Sequence, residues 1–380
     1  MIVSAPTNKV LLITNIPTPY RIPLFNELNK QLKQQGIKLK VIFGALGYSR
    51  RKWNIDMSEC YFDYEVLSSR KITLDPEKTI FTYKGLLNVI KKGNPTVIIT
   101  IGFSFATMKL WLRSWFFSTP YIIWSGHIKT KGRFESILRR LQRRLIVRRA
   151  TGFIAYGTKA KEYLISLGVD PDKVVIGINT VDTEFFKTET KKISIDPRSN
   201  SKKCLLYIGH FAKGKRIDLL FHVVKILLKK RNDFILKLVG DGSEKEDLKT
   251  LAQELNIRDY VSFEGFKQKN GIPKYLAEAD CFLFPSEYDV WGVVLVEAMA
   301  VGLPCISSIY SGATHDLIED GVNGFAMDFS ETEKVAEKID FILENPGMAK
   351  HIALNASRFI AEYASLEKSA QGFIRAINNV

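Results

Sequence analysis

Two acids on either side of a helix start form the clearest chemical arrangement in this sequence. In Phe284–Ala300 (FPSEYDVWGVVLVEAMA) an apolar run ends at Pro285, a polar loop follows, and Gly292 opens an apolar helical pattern. Asp289 lies in the loop, and Glu297 stands eight residues later, one turn beyond Val293. A helix start carries unpaired N–H groups and the positive end of the dipole, which makes it a seat for phosphate. One carboxylate beside that seat and another a turn further on can accept hydrogen bonds from two sets of hydroxyls. Such a site suits a nucleotide sugar, whose diphosphate lies between a ribose and a hexose. Glu297 is otherwise surrounded by apolar residues, VVLVEAMAVG, a costly place for a carboxylate without a polar partner.

Two further places offer polar groups at the ends of apolar runs. His127 closes WSGHI (Trp124–Ile128) in a chain with only five histidines. Near the N-terminus, Pro17, Pro19 and Pro23 bracket Tyr20 and Arg21, a stiff loop that presents an aromatic ring and a guanidinium to an acceptor or a phosphate.

The elements that must position these residues are parallel strands alternating with helices. Val10–Thr14, Leu39–Phe43, Val97–Ile101, Tyr121–Trp124 and Gly152–Ala155 are short, continuous and rich in Val and Ile, as buried parallel strands are. Helical patterns such as Pro23–Gln34 and Phe134–Arg149 fall between them. A second series comprises strands Cys204–Gly209, Ile235–Val239, Val261–Phe263, Cys281–Pro285 and Cys305–Ser307. Its helices lie near Ile217–Lys230, Glu244–Leu255, Pro273–Ala279 and Val293–Ala300. Lys187–Lys203 is polar, has no periodic apolar face and reads as a linker. The pattern predicts two Rossmann-like α/β domains, 1–186 and 203–360, facing across a cleft. The C-terminal helical segment, 361–380, is free to pack on either. In open parallel sheets ligands sit at the carboxyl ends of the strands, which is where Tyr20, His127 and Asp289 are expected.

The 380 residues carry a net charge of +15. Residues 1–190 hold 30 basic and 14 acidic side chains, and 191–380 hold 25 and 26, so the excess belongs to the first half. Within it, Lys129–Arg149 has nine basic residues and one acid, Glu135. Ile137, Leu138, Leu141, Leu145 and Ile146 recur there at helical spacing among Arg139, Arg140, Arg143, Arg144, Arg148 and Arg149. With the upstream KLWLRSWFF (Lys109–Phe117), this predicts attachment to an anionic membrane surface. No run approaches the ~18 uninterrupted apolar residues of a spanning helix, and residues 1–9 lack a signal-peptide core. The expected location is the cytoplasm, with peripheral attachment to the inner membrane face. Cys60, Cys204, Cys281 and Cys305 are far apart and read as free thiols, and no Cys/His/carboxylate cluster points to a metal.

The run PSEYDVWGVVLVEAMAVGLPCISS, followed by DLIEDGVNGF (Asp316–Phe325), resembles the signature of retaining glycosyltransferase family 4 of the GT-B fold. In that family a Glu, seven residues and a second Glu precede a Gly-Leu-Pro and an Asn-Gly turn. Here Asp289 takes the first position and Glu297 the second, Glu287 being two residues too far away. The resemblance extends to LYIGHFAKGKR (Leu206–Arg216), in which Gly209 lets backbone approach the ligand and Lys215 falls on the donor diphosphate. His210 stands in the family's usual Arg position, and Arg216 shares the load with Lys215. LVGDG (Leu238–Gly242) resembles the family's glycine turn. VSFEGF (Val261–Phe266) resembles the segment that reads the uracil edge, which points to Gly265 and Phe266. His127 matches the family's strand-end His beside the transferred sugar.

The resemblance implies transfer of a hexose from a nucleotide sugar, most commonly a UDP-sugar, to a saccharide acceptor, lipid-linked in the membrane-bound case. That is the chemistry of polysaccharide or glycoconjugate synthesis, with retention of configuration and no metal or other cofactor. Asp289, His127 and Lys215 would be catalytic. The donor would be held by Gly209, His210, Arg216, Gly265, Phe266, Val290, Trp291, Gly292, Val293 and Glu297, and the acceptor met by Tyr20 and Arg21. A nucleotide-sugar 2-epimerase of similar architecture is the alternative, although its additional acid–base residues have no counterpart here. A dinucleotide dehydrogenase is excluded by VLLITNIPTPYR, which has no glycine after the first strand. Nucleic acid is not an expected partner, since no binding module is present and acids at the helix start would repel a phosphate backbone.

Overall fold

The computed structural model describes residues 8–47, 52–75, 78–129, 135–194 and 202–380. The chain divides into two compact units, Met1–Val181 with Leu366–Val380, and Asp182–Ser365.

Among the described residues, the first unit is built on seven parallel strands. These are β1 (Lys9–Thr14), β2 (Lys38–Phe43), β3 (Asp63–Val66), β6 (Val97–Ile101), β7 (Tyr121–Ser125), β8 (Gly152–Ala155) and β9 (Val174–Ile176), in the order β3-β2-β1-β6-β7-β8-β9. An antiparallel hairpin, β4 (Lys71–Asp75) with β5 (Lys78–Phe81), interrupts the series. The second unit has six parallel strands: β10 (Lys203–Ile208), β11 (Phe234–Val239), β12 (Val261–Gly265), β13 (Cys281–Phe284), β14 (Cys305–Ser308) and β15 (Phe325–Met327). Their order is β12-β11-β10-β13-β14-β15. In both sheets the order reverses beside the unit's first strand, between β1 and β6 and between β10 and β13. Such a switch point leaves a crevice at the strand ends where doubly wound sheets take ligands.

The expected strands are all present because central parallel strands are buried on both faces and read as unbroken apolar runs. Five strands are absent from the sequence reading: the hairpin pair β4 and β5, and β3, β9 and β15, which are edge strands of three or four residues. β3 (DYEV) has no fully buried residue, so it carries no apolar run to detect. The sheet of the second unit packs Leu205, Tyr207, Leu236, Leu238, Cys281 and Leu283 with Leu220, Phe221 and Leu227 of the Ile217–Leu227 helix. Each fully buried Leu or Phe there stabilises the unit by about 1.5–3 kcal/mol.

The stretch expected as a linker, Lys187–Lys203, begins inside the Thr183–Lys191 helix. The Asp182 carboxylate caps it by accepting the Phe185 N–H at 3.0 Å, and Phe186 is buried. The helix packs on Ile272–Glu278 and Val293–Ala300 of the second unit. The Phe-Phe pair upstream nucleates an element that the polar composition downstream hides. At the other end, the C-terminal segment is two helices, Pro346–Tyr363 in the second unit and Leu366–Asn378 in the first. The latter lies along the Arg21–Gln34 helix, and its Phe373 ring meets Trp124 edge-on at 5.0 Å.

Candidate active site

In the second unit, two strand-end loops are tied together at the β10/β13 switch point. After β10 the chain runs Gly209-His210-Phe211, then through a short turn at Lys213–Lys215. The Gly214 carbonyl accepts the N–H groups of Glu287 (3.1 Å) and Tyr288 (3.3 Å) from the loop after β13. Lys215 reaches the same loop, and its ammonium forms an ion pair with the Asp289 carboxylate, both side chains being largely covered. Arg216 turns to Asp218 and to Glu287, at 3.1 and 3.3 Å. Glu287, the acid whose spacing to Glu297 is two residues too long, pairs with Arg216, while Asp289 lies beside Lys215. The His210 carbonyl accepts the Tyr207 hydroxyl at 3.2 Å, so Tyr207 ties the end of β10 to its loop.

The Asp289 loop is held in shape by its own backbone. The Asp289 carboxylate accepts the Trp291 N–H at 3.1 Å, and its carbonyl accepts the Gly312 N–H at 3.0 Å. The Trp291 carbonyl accepts the Ser311 hydroxyl at 2.8 Å and the Ala313 N–H at 3.1 Å. Ser311–Ala313 thus forms a rail behind Asp289–Trp291, one that no motif revealed because its bonds are mostly backbone. Gly292 follows with φ +92°, and a Cβ there would lie 2.6 Å from the Phe284 ring, so both conformation and space demand glycine. Gly292 also brings no side chain to cap the Val293–Ala300 helix. The Leu295 N–H donates to the Gly292 carbonyl at 3.0 Å, and the N–H groups of Val293 and Val294 in the first turn are left for a ligand.

Glu297 sits within that helix, buried, and burial raises its carboxyl from 4.5 to about 8, with Lys269 pulling the other way. At neutral pH it is a protonated acid able to donate as well as accept. The glycine turn after β11 proves to be structural to the site. A Cβ on Gly240 would fall 1.8 Å from the Gly209 carbonyl oxygen, so the two loops touch backbone to backbone. Gly265 ends β12 with φ +71°, and its carbonyl accepts the Gly240 N–H at 3.0 Å, which places half-buried Phe266 next to the same loops.

In the first unit, His127 lies two residues past β7. Its Nδ1 is 3.2 Å from the Ser125 hydroxyl oxygen, which also accepts the His127 N–H. The ring stacks on Tyr163 at 6.2 Å and meets the edge of Phe103 at 5.5 Å. Burial, then the nearby Arg143 and Arg139, push its imidazole down to about 3, so it is neutral across the physiological range. Tyr20 remains half-exposed and meets Trp53 edge-on at 5.9 Å.

Arg21, expected on the acceptor, points into the protein instead. Only 8% exposed, it donates to the Thr14 hydroxyl at 3.1 Å and the Tyr156 hydroxyl at 2.8 Å, and its guanidinium lies 4.8 Å from the Trp124 ring. It opens the Arg21–Gln34 helix on the same face as Leu24, Phe25 and Leu28, so helical periodicity carries it inward.

The basic segment forms the Ile137–Val147 helix, with the Ser136 hydroxyl accepting the Arg139 N–H at 3.3 Å. Residues 130–134 of the Lys129–Arg149 run lie outside the described residues. Ile137 and Leu138 are 79% and 80% exposed, and Leu141 and Leu145 are exposed as well. This helix packs on Phe105–Arg113, after which Trp115, Phe116 and Phe117 are all exposed. Arg149 donates to the Ser114 carbonyl and stands 4.6 Å over Trp115, while Arg113 stands 4.5 Å over Phe117. Two residues depart from the expected outward face. Ile146 is buried, and Arg143 turns inward. No helix among the described residues is long and apolar enough to cross a membrane, and no group of three His, Cys, Asp or Glu among them could hold a metal ion.

Comparison with known proteins places both units. Residues 25–185 match the family model Glycosyltransferase Family 4, and residues 189–359 match Glycosyl transferases group 1. An uncharacterized glycosyltransferase of Haemophilus influenzae is 33% identical over 166 residues, covering 44% of this chain and 46% of that protein. The N-acetyl-alpha-D-glucosaminyl L-malate synthase of Bacillus anthracis is 34% identical over 171 residues, 45% of this chain and 44% of that protein. The chain spans about half the length of the curated relatives it matches. Among solved structures, Anabaena HepE in complex with UDP superposes with a TM-score of 0.78 at 18% identity, covering 98% of this chain and all of that one; it is also known in complex with UDP-glucose. That likeness shows the fold, GT-B.

Proposed function

Because the chain belongs to the glycosyltransferases described by the Family 4 and group 1 models, we propose that it transfers a hexose from a UDP-sugar to a saccharide acceptor with retention of configuration. One observation carries the reading: the Lys215–Asp289 pair is held at the β10/β13 switch point beside the uncapped start of the Val293 helix. A cation and the helix-start N–H groups of Val293 and Val294 at one strand-end crevice suit a diphosphate. The carboxylate beside them suits the hydroxyls of the attached sugar.

In the proposed reaction the bond from the sugar C1 to the diphosphate oxygen breaks, and a bond from C1 to the acceptor oxygen forms on the same face. The acceptor proton passes to an oxygen of the departing UDP. The protein's part is positioning and charge stabilisation. Lys215, with Arg216 and the N–H groups at Gly292–Val293, takes the charge that builds on the diphosphate. Gly209 and His210 line its path, and Gly265 and Phe266 receive the base. Glu297 is assigned to the ribose, Asp289 with the Val290 N–H to the hexose, and neutral His127 of the first unit to the transferred sugar. The Trp291 N–H is held by the Asp289 carboxylate. Tyr20 is assigned to the acceptor. UDP and UDP-glucose in complex with HepE support the choice of nucleotide.

The exposed apolar residues of 115–117 and 137–145, ringed by arginines, support a lipid-linked acceptor met at an anionic membrane face. This agrees with synthesis of a polysaccharide or glycoconjugate in the cytoplasm. The test is incubation with labelled UDP-, GDP- and ADP-hexoses, following sugar release or transfer and the anomeric configuration of the product. Turnover of a UDP-hexose with retention supports the reading. Epimerisation at C2 without transfer, or inversion, overturns it.

A further inference from the structure

His127 is enclosed by a closed set of polar and aromatic contacts that the proposed reaction does not yet use. The Arg143 side chain, only 14% exposed, pairs with Glu135 at 2.7 Å. It also donates to the Tyr163 hydroxyl, which in turn donates to the Glu135 carboxylate at 3.0–3.1 Å. Each of the three residues therefore touches the other two. The guanidinium lies 4.9 Å from the Phe103 ring centre and 5.7 Å from that of Tyr163. Phe103 and Tyr163 are the two rings that contact the His127 imidazole, one edge-on and one stacked. Arg140, one turn earlier, donates to the Ser166 carbonyl at 3.2 Å and anchors the helix on the element that carries Tyr163.

We propose that Arg143 is a positioning residue for His127: it clamps Phe103 and Tyr163 as the walls that fix the imidazole in the orientation sugar transfer requires. The inference rests on the assignment of His127 to the transferred sugar and adds what holds it there. A largely covered ion pair contributes little net stability, since desolvation offsets its Coulomb attraction. What such a pair does supply is a single geometry, because a planar guanidinium with two partners and two ring faces has few alternative placements. Along the same helix Arg139 and Arg144 are exposed and Arg140 is held by Ser166, whereas Arg143 lies against the rings that flank His127. The groups bearing charge or titrating near the imidazole are Arg143 and Arg139 from the basic helix, with Tyr163 and Glu135 coupled to Arg143.

The experiment is a double-mutant cycle on transfer kinetics with the full chain, using His127→Ala, Arg143→Met and the pair, with Arg143→Lys and Tyr163→Phe as companions. Arg143→Met is expected to lower kcat about 10–100-fold, the scale of a small misplacement of a reacting group, and to leave the dissociation constant of UDP unchanged. In the His127→Ala background the same substitution is expected to cost less than twofold, because the residue it positions is gone. Tyr163→Phe should reproduce part of the loss, and Arg143→Lys should recover little, since an ammonium cannot hold both partners and both rings. Equal losses from Arg143→Met with and without His127 would overturn the proposal and leave a structural ion pair. So would full activity of Arg143→Met when His127→Ala is impaired. Full activity of His127→Ala would instead overturn the assignment of His127 itself. Circular dichroism and thermal unfolding of each variant separate loss of fold from loss of function, and the Lys and Phe variants keep the test open if Arg143→Met does not fold.

Discussion

The Lys215 ammonium and the Asp289 carboxylate, 74 positions apart in sequence, close an ion pair between the loops that follow β10 and β13. Neither loop reaches the other by chance. Gly214 accepts two backbone N–H groups from Glu287 and Tyr288 immediately beside the pair. In the proposed reaction this pair aims the cation at the diphosphate and the carboxylate at the sugar. Replacing Lys215 by Ala is expected to lower kcat about 100–1,000-fold, the usual loss when one preorganised charge-stabilising group is removed. Asp289→Ala should cost a similar factor. The two losses should be far from additive, because each residue orients the other. Initial-rate transfer assays on the single and double variants measure this; full activity in both single variants would show that the chemistry lies elsewhere.

Gly292→Ala is expected to damage the fold and the site together. The residue sits at φ +92°, and the added methyl would meet the Phe284 ring at 2.6 Å. Strain at one such position is on the order of 1–3 kcal/mol, and the clash adds to it. A melting temperature lower by several degrees and weaker UDP binding by calorimetry are the expected results. An unchanged melting temperature would mean that the loop can relax away from β13, contrary to its rail of bonds to Ser311–Ala313.

Glu297 makes stability depend on pH in an unusual sense. Its carboxyl is raised by burial from 4.5 to about 8 in the folded chain. Between those values the folded protein holds a proton that the unfolded chain has released, so this contribution is full below about pH 4.5 and is lost as pH rises through 8. Its size is on the order of a few kcal/mol. Glu297→Gln, which is neutral at every pH, should flatten the stability curve between pH 6 and 9 and exceed the parent chain at pH 9. Urea unfolding across that range tests this; identical slopes in the two proteins would show that Glu297 ionises at an ordinary pH.

The strands at the centre of each sheet were legible because burial on both faces writes them as unbroken Val, Ile and Leu runs. Edge strands β3, β9 and β15 were not, having too few buried positions to leave a pattern. The loops carrying Lys215, Asp289 and His127 were legible as polar residues at strand ends. Their supports were not. The Ser311–Ala313 rail consists of backbone and hydroxyl bonds that many sequences could make, and the need for glycine at 240 arises from contact with Gly209 in another loop. Side-chain direction was the hardest to read. Arg21 and Arg143 are charged residues beside apolar ones, and composition alone placed both outward. Arg21 is drawn in by helical register with Leu24 and Phe25, and Arg143 by partners 8 and 20 residues distant, Glu135 and Tyr163.

The arginine-ringed face tests the membrane part of the proposal without disturbing the rest. Leu138 and Phe116 are 80% and 84% exposed, so Leu138→Ser with Phe116→Ser should leave thermal unfolding unchanged. Arg144 and Arg148 are exposed on the same helix and its end. Each arginine near an anionic surface is worth about 1 kcal/mol, so Arg144→Ser with Arg148→Ser should weaken binding to anionic vesicles roughly 30-fold. The loss should shrink at high salt, where surface charge is screened, whereas the loss from the apolar pair should persist. Flotation with anionic and neutral liposomes reads both effects. Equal absence of binding to the two lipids in the parent chain would remove the membrane from the proposal and leave a soluble acceptor for the same site.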